Sequence, residues 1–550
     1  MGMKAAAHQQ LDTSTTLGAL LMRQAARRGE ALCAAFDAEG EFSYSEIARR
    51  ATRAAKGLSA LGIAKGDRVA IQMPNCVDFL IAHYAVQLLG AVSVLVNARF
   101  KTHEMSHVFR HSGAKVFFTT TLIDDHVNFA DLLWQTLPEL EGVSGGAPLT
   151  LRAAPDLRHV VLCGAGARPP AMTFAALEDA GHGVSDAVLA GVDERSNADD
   201  IALMLYTSGT TAAPKGCQLT HRGMLASWAG YAEVAGVAEG ETIWVPLPFF
   251  HVGGVGPFTA ALSSGAAFFT AAHFNPTNAL AQIRRYKPEH LYPAFFNIAL
   301  PLMREPDFKK SDVAEARTML CVAPNKTQYV MRELMPEHIA VMQVFGMTEA
   351  SGIVTLTRPG ASLEHRLETN GTPLPGAEIR IADPETGAVL GPDSPGEIQF
   401  RGAGAFHSYY RDEEATRRTI LAGGWVATGD YGKIDANGAT HFIGRIKDML
   451  KVGGENVAAA EVEAFLSMHP AVKMSQVVGK ADERYGEVPV AFVELLPDHA
   501  ASESELIEFF EGKLARFKTP RRIFFVTEWP MSATKIQKFK LREQLTRLEQ

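Results

Sequence analysis

Two hydrophobic periods alternate along most of this chain. Residues 43–63, SYSEIARRATRAAKGLSALGI, place apolar positions at helical spacing, with a Ser-x-x-Glu box at Ser43 or Ser45 to open the helix and a glycine to stop it. RVAIQM (68–73) then predicts a strand, CVDFLIAHYAVQLLG (76–90) a helix and VSVLVN (92–97) a strand. The rhythm recurs at HEMSHVFRHSG (103–113) and KVFFTT (115–120), so the fold class is α/β, built of layered sheets and helices. GVSGGAPLTLRAAPD (142–156) reads as a surface loop. Beyond residue 370 the texture changes to short strands and turns, as in AEIRIADPETG, GEIQFRG and THFIGRI. A second, smaller α+β unit follows in AAEVEAFLSMHP, VKMSQVVGK, VPVAFVELL and ESELIEFFEGKLARF. The expected boundary lies at GRIKD, giving domains 1–446 and 447–550, with no internal sequence repeat.

Composition narrows the partners. The 550 residues exceed what one hydrophobic core organises, and 47% hydrophobic with 21% charged residues describes a globular chain. A formal charge of -8 without a basic tail or stripe argues against a nucleic-acid partner. The apolar runs 79–96 and 256–274 are broken by His83, Gln87, Gly90 and small polar residues, so no transmembrane segment is expected. The N-terminal MGMKAAAHQQLDTSTT has no signal-peptide core, and Ala6 stands where a myristoylation motif needs Ser or Thr. Five scattered cysteines without metal-ligand spacing suit a reducing cytoplasm. A homodimer is left open.

The stretch that carries chemistry is YTSGTTAAPKG (206–216), which leaves the apolar run IALML. A loop of glycine, serine and threonine can turn backbone N–H groups and hydroxyls towards phosphate oxygens, and Lys215 adds a mobile positive charge. It is not a Walker A loop, because the lysine precedes Gly216 and no Ser or Thr follows directly. Taken alone, it could equally be a Ser/Thr-rich turn ahead of a helix.

Five further stretches accompany it: PLPFFHVGG (246–254), FGMTEA (345–350), GWVATGD (424–430), GRIKDMLKVGGENV (444–457) and SATKIQKFKLR (532–542). Together and in this order they resemble the motifs of the adenylate-forming superfamily, in particular acyl-CoA synthetases. The resemblance spans nearly the whole chain. It implies a large N-terminal adenylate-forming domain and a mobile C-terminal one. It also implies that ATP, Mg²⁺ and coenzyme A serve to convert a carboxylic acid first to an acyl-adenylate and then to a thioester.

By the same resemblance, Thr207, Ser208, Gly209, Thr210, Thr211 and Lys215 would hold the outer phosphates, and Thr348 the α-phosphate. Glu349 with Thr207 would bind magnesium, which prefers hard oxygen donors. Asp430 would accept both ribose hydroxyls beside Arg445, and Lys447 would be the hinge. Lys535, with Lys538 as the alternative, would bring positive charge to the reacting carboxylate and α-phosphate. Gly453, Gly454, Glu455 and Asn456 would line the path of the CoA thiol. Phe249, Phe250, Val252, Gly253, Gly254, Phe345 and Gly346 would form an apolar acid pocket. His251 would line or gate it, or else simply pack.

Four positions depart from the family pattern. Ala212 and Ala459 replace a usual glycine and proline, and LCVAPN replaces a glycine-rich segment, so that Cys321 would narrow the nucleotide or acyl pocket. The glycine that usually precedes the catalytic lysine is missing, which leaves the register of Lys535 open. The leading function is CoA ligation of an apolar fatty, aryl or alicyclic acid. The alternatives are an acyl-AMP ligase that loads a carrier protein's pantetheine, and a relative that binds nucleotide without chemistry.

Overall fold

Strands Arg68–Ile71, Val92–Leu95, Ala114–Thr120, His159–Cys163 and Ile201–Thr207 pair in parallel within an eight-stranded sheet. Two antiparallel strands, Lys215–Thr220 and Ser408–Tyr409, extend one edge of it. A seven-stranded sheet gathers Leu32–Phe36, Thr242–Trp244, Ala267–Thr270, His290–Phe295, Thr318–Val322 and Ala340–Met342 in parallel, with Gly40–Ser43 antiparallel at its edge. This is a computed structural model, and it describes residues 13–548 apart from 124, 167, 208–213, 454, 533 and 534. For Lys326, Asn456, Ser532 and Lys535 it describes the backbone alone.

Alternation along the strands sets the layers. Neighbours such as Ala34 and Ala35, or Phe268 and Phe269, feed cores on opposite faces of their sheet. The central core, between the sheets, takes helices Tyr44–Ala60, Val77–Leu88, His221–Ala235 and Val252–Ser264. Two outer cores take Thr102–His111 and Phe129–Thr136 on one side, and Pro276–Tyr286, Phe296–Met303 and Asn325–Leu334 on the other. The result is an α/β/α/β/α stack whose two sheets share a plan that the sequence does not repeat. Helix Val77–Leu88 is buried on nearly every side, His83 and Gln87 included, because it sits in the middle layer. Ser43 caps the helix Tyr44–Ala60 by accepting the Glu46 N–H at 3.1 Å, so of the two candidate serines it is the cap.

The turn-rich region becomes two antiparallel sheets. One joins Val344–Met347, Gly352–Leu356 and Thr372–Pro373. The other joins Ala377–Ala382, Gly396–Gly402, Val426–Ile434 and Thr440–Arg445. After the short turn Ile446–Asp448, strands Met449–Val452, Glu455–Ala458, Val472–Asp482, Gly486–Leu495 and Arg522–Phe525 form a sheet of their own. It packs helices Ala459–Leu466 and Lys538–Leu548 around separate cores that contain Leu466, Phe492 and Leu541. Among the described residues, no helix is long and apolar enough to cross a membrane.

Candidate active site

The glycine-rich loop is held at its base by a strand ladder. Thr207 ends one strand and Lys215 begins the next, and the two residues face each other across the antiparallel pair. Ser208, Gly209, Thr210, Thr211 and Ala212 lie outside the described residues. The short strand Ser408–Tyr409 pairs with the second stem, Tyr409 opposite Cys217. That pairing puts the Tyr409 ring under Lys215, whose Nζ lies 5.1 Å from the ring centre and 3.7 Å from Asp412 Oδ2.

Tyr409 also reaches the second motif. Its hydroxyl donates to Glu349 Oε1 at 2.6 Å, while the Glu349 carbonyl accepts the Phe406 N–H at 2.8 Å. Burial, and then the Glu349 carboxylate, push the Tyr409 phenol pKa up, so it stays a neutral donor. Glu349 is itself buried, on a 3₁₀ turn Thr348–Ala350 that links the strands Val344–Met347 and Gly352–Leu356. Ser351 completes the turn at a left-handed φ of 54°, and its carbonyl accepts the Trp228 Nε1–H at 2.7 Å. A cleft of about 350 Å³ opens beside Tyr409, lined by Gln218, Ser408, Arg411, Asp412 and Thr416. One tyrosine thus joins Lys215 to Glu349, with Thr207 opposite Lys215 on the ladder.

Asp430 and Arg445 form a second cluster. They face each other across strands Val426–Ile434 and Thr440–Arg445, with Arg445 Nε 2.9 Å from Asp430 Oδ1. Asp430 is 2% exposed, and its backbone N–H donates to Thr428 Oγ1 at 3.0 Å. Asn370 joins this sheet to the Glu349 hairpin, accepting the Phe442 N–H at 2.8 Å and donating to the Val344 carbonyl at 3.2 Å.

The apolar motif builds the start of a helix. His251 is the N-cap of Val252–Ser264, its Nδ1 accepting the Gly253 N–H at 3.0 Å, so the capping task fixes the ring. Asn75 holds the preceding turn by accepting the Phe249 N–H at 2.8 Å and donating to the Leu247 carbonyl at 2.9 Å. Phe249 packs edge-on against Phe36, Phe79, Phe258 and Phe268 in the central core, and Phe250 is buried as well. Phe345 is buried and stacks on Phe442. Gly346 backs directly onto Gly352, where any side chain would collide with the Gly352 carbonyl.

Cys321 differs from expectation. Its thiol meets Met331 Sδ at 3.6 Å inside an outer core, so the side chain packs there rather than narrowing a pocket.

In the C-terminal unit, Gly453 turns at a φ of 61° and donates its N–H to the Tyr485 carbonyl at 2.7 Å. Glu455 and Asn456 continue as a strand paired with Val452 and Lys451, while Gly454 lies outside the described residues. Lys447 sits in the turn Ile446–Asp448. Lys535 pairs through its backbone with Ser532. Lys538 is engaged within its own unit, Nζ 2.5 Å from a Glu463 Oε1 that also accepts the Val477 N–H.

Sequence reasoning passed over Tyr409, Trp228 and Asn75. The pair Tyr409–Tyr410 beside the charged run Arg411–Glu414 was the only local signal for any of them.

Comparison with known proteins adds the family. The AMP-binding enzyme profile matches residues 21–410, and the AMP-binding enzyme C-terminal domain matches 461–535. YngI of Bacillus subtilis (strain 168), provisionally named an acyl-CoA synthetase, is 34% identical over 514 residues, covering 91% of this chain and 92% of that protein. The mitochondrial medium-chain acyl-CoA ligase ACSF2 of Danio rerio is 30% identical over 510 residues, 91% of this chain and 83% of that one. The crystal structure of the anthranilate CoA ligase AuaEII with anthranoyl-AMP superposes with a TM-score of 0.84 at 26% identity, covering 100% of both chains. The chain therefore belongs to the adenylate-forming AMP-binding enzymes and is of the acyl-CoA synthetase type, which uses ATP, Mg²⁺ and coenzyme A to turn a carboxylic acid into its adenylate and then its thioester.

Proposed function

We propose that this acyl-CoA synthetase acts on an apolar fatty, aryl or alicyclic carboxylic acid, with the residues above divided between nucleotide, acid and thiol. The observation that carries the reading is the Tyr409 bridge, which brings a lysine and a buried carboxylate from distant motifs to the base of one glycine-rich loop. Attack of a carboxylate on the α-phosphate brings two anions together, so charge must be offset before the bond can form. Lys215 and the loop amides hold the outer phosphates, and Thr348 the α-phosphate. Asp430 accepts the ribose hydroxyls while Arg445 balances its charge.

The donor set at Glu349 fits magnesium. Glu349 presents a buried carboxylate that accepts a hydrogen bond from a neutral phenol, and Thr207 would add a second hard oxygen. Among the described residues no cluster of three or more His, Cys, Asp or Glu competes for a metal. When bound, the ion neutralises phosphate charge; the chain's part is to hold Glu349 and Thr207 in place.

The acid enters beside His251, Gly253, Phe345 and Gly346, with Phe250 behind. His251 orients the helix that forms the wall. The unit after Lys447 turns about that residue, so that Lys535 meets the carboxylate in the first half-reaction and the hairpin carrying Gly453 meets the thiol in the second. Domains 1–446 and 447–550 follow from that hinge. Lys538, held by Glu463, is the weaker candidate for the catalytic lysine. The enzyme works in the cytoplasm without nucleic acid, as a monomer or homodimer.

A panel of carboxylic acids scored for CoA-dependent AMP formation tests this reading. Apolar acids should be consumed, and failure with every acid would overturn it. Lys535→Ala should abolish adenylation yet spare thiolation of supplied acyl-adenylate; equal loss of both steps would rule out its assigned role.

A further inference from the structure

The side chain of Lys215 already has a place at the exit of the glycine-rich loop. Its Nζ lies 3.7 Å from Asp412 Oδ2 and 5.1 Å from the centre of the Tyr409 ring. At 3.7 Å the ammonium and the carboxylate attract as charges, with no hydrogen bond to fix them. Both side chains keep contact with water, at 31% and 35% exposure. The pair is therefore of the loose, solvent-screened kind that a stronger anion can replace.

Asp412, by contrast, is tied down. It is the N-cap of helix Glu413–Thr419, its Oδ1 accepting the Ala415 N–H at 2.9 Å, so that Oδ2 is the oxygen turned to the lysine. Thr416 then locks this residue to the ring beside it. The threonine hydroxyl donates to the Asp412 carbonyl at 2.8 Å and accepts the Tyr409 N–H at 3.0 Å. Between the two, Arg411 is held at a left-handed φ of 54° and reaches the His111 carbonyl at 3.3 Å. Ring and carboxylate thus form one fixed seat, and the lysine is the part that can move.

We propose that Asp412 is a positioning residue of the adenylation step, the resting counter-ion of Lys215. It gives the lysine up when the outer phosphates of ATP bind and takes it back as pyrophosphate leaves. The inference rests on the assignment of Lys215 to those phosphates, made above. The several charges of a polyphosphate outweigh one carboxylate, but binding is weakened by the attraction it must replace. The same weakening favours the departure of pyrophosphate, which must clear the loop before the next ATP can enter.

The test measures the dissociation constants of Mg-ATP and of magnesium pyrophosphate, titrated to saturation into the full-length protein. Wild type is compared with Asp412→Asn, Lys215→Met and the double variant. Asparagine caps a helix as well as aspartate does, so Asp412→Asn removes the charge and keeps the local fold. Asp412→Ser, also a capping residue, serves if the first variant fails to fold. Asp412→Asn should bind both ligands about 3-fold more tightly at low salt, with the difference shrinking as salt is added. In the Lys215→Met background the same substitution should change neither affinity, because the lysine at issue is gone. Weaker or unchanged binding in Asp412→Asn would overturn the proposal. So would tighter binding that persists in the double variant, which would mean that Asp412 merely repels phosphate. If Lys215→Met binds both ligands like wild type, the assignment of Lys215 to the phosphates falls instead, and this inference with it.

Discussion

Glu349 and Asp430 are both acids taken almost wholly out of water, at 8% and 2% exposure, yet they keep different company. Glu349 receives a hydrogen bond from a neutral phenol, whereas Asp430 faces a guanidinium at 2.9 Å. A hydroxyl donor steadies a carboxylate without cancelling its charge; an arginine balances that charge. On the reading proposed above, the first arrangement serves a site that attracts a divalent cation and the second one that accepts the hydroxyls of a sugar. Burial alone would have assigned the two acids the same task. Their partners separate them.

The sharpest way to break the comparison is to remove the charge at Glu349 while keeping its shape. Glu349→Gln can still accept from Tyr409, so the fold should hold while acid-dependent ATP–pyrophosphate exchange falls about 10³-fold at fixed magnesium. Exchange at wild-type rate would show that the charge of Glu349 has no part in the chemistry. At the other acid the expected injury is to stability. Arg445→Ala removes the guanidinium that faces the buried Asp430 carboxylate, which should cost about 3 kcal/mol in denaturant unfolding. Pairing it with Asp430→Asn should recover most of that stability but not ATP binding. If the single variant unfolds like wild type, the pair is not the electrostatic unit described here.

Tyr409→Phe asks how much a neutral donor contributes. It removes one hydrogen bond to a carboxylate and keeps the ring beneath Lys215, so KM for Mg-ATP should rise about 10-fold with thiolation of supplied acyl-adenylate unchanged. The effect should be smaller than that of Glu349→Gln, because the carboxylate itself remains. An effect on thiolation as large as on adenylation would place Tyr409 in general support of the fold instead.

These residues also mark how far the sequence could be read. The alternation of helices and strands, the helices after Ser43 and Cys76 and the strand that enters the Lys215 loop were legible because each is local: an apolar period, a capping serine, a run of small residues ending in lysine. The Glu349 and Asp430 positions came from motif resemblance, and the ladders that hold them pair residues close in the chain. Tyr409 was not legible, since its two partners lie 194 and 60 residues away, joined only when a short strand adds to the sheet edge. Trp228 was missed for a similar reason: it packs against Gly256 and Gly352 in two other elements, and a glycine that marks a close approach looks in sequence like any turn glycine. His251 was read towards the pocket, while its visible task is to cap a helix. For Lys535, whose side chain is outside the described residues, the assignment rests on the motif alone.

The phosphate loop has a further brace, which gives the smallest of these effects. On helix Thr102–His111, His107 Nε2 lies 2.9 Å from the Pro214 carbonyl, one residue before Lys215. A carbonyl only accepts, so this ring nitrogen must carry the proton. His111 stacks on His107 at 5.1 Å and meets the Tyr206 hydroxyl at 2.9 Å, so one helix touches both stems of the loop. Burial, and next the neighbouring His107, lower the pKa of His111, keeping the stacked pair from carrying two charges near neutral pH. His107→Ala removes one hydrogen bond at the loop's exit and should raise KM for ATP about 5-fold with little change in kcat. His107→Gln, which can supply an N–H from a similar reach, should restore most of it. Because that rescue depends on a donor and not on ring packing, a glutamine variant as impaired as the alanine one would mean that the imidazole only fills space. A positive result would show that a side-chain N–H donor from a distant helix holds the exit of the loop that begins beside Thr207.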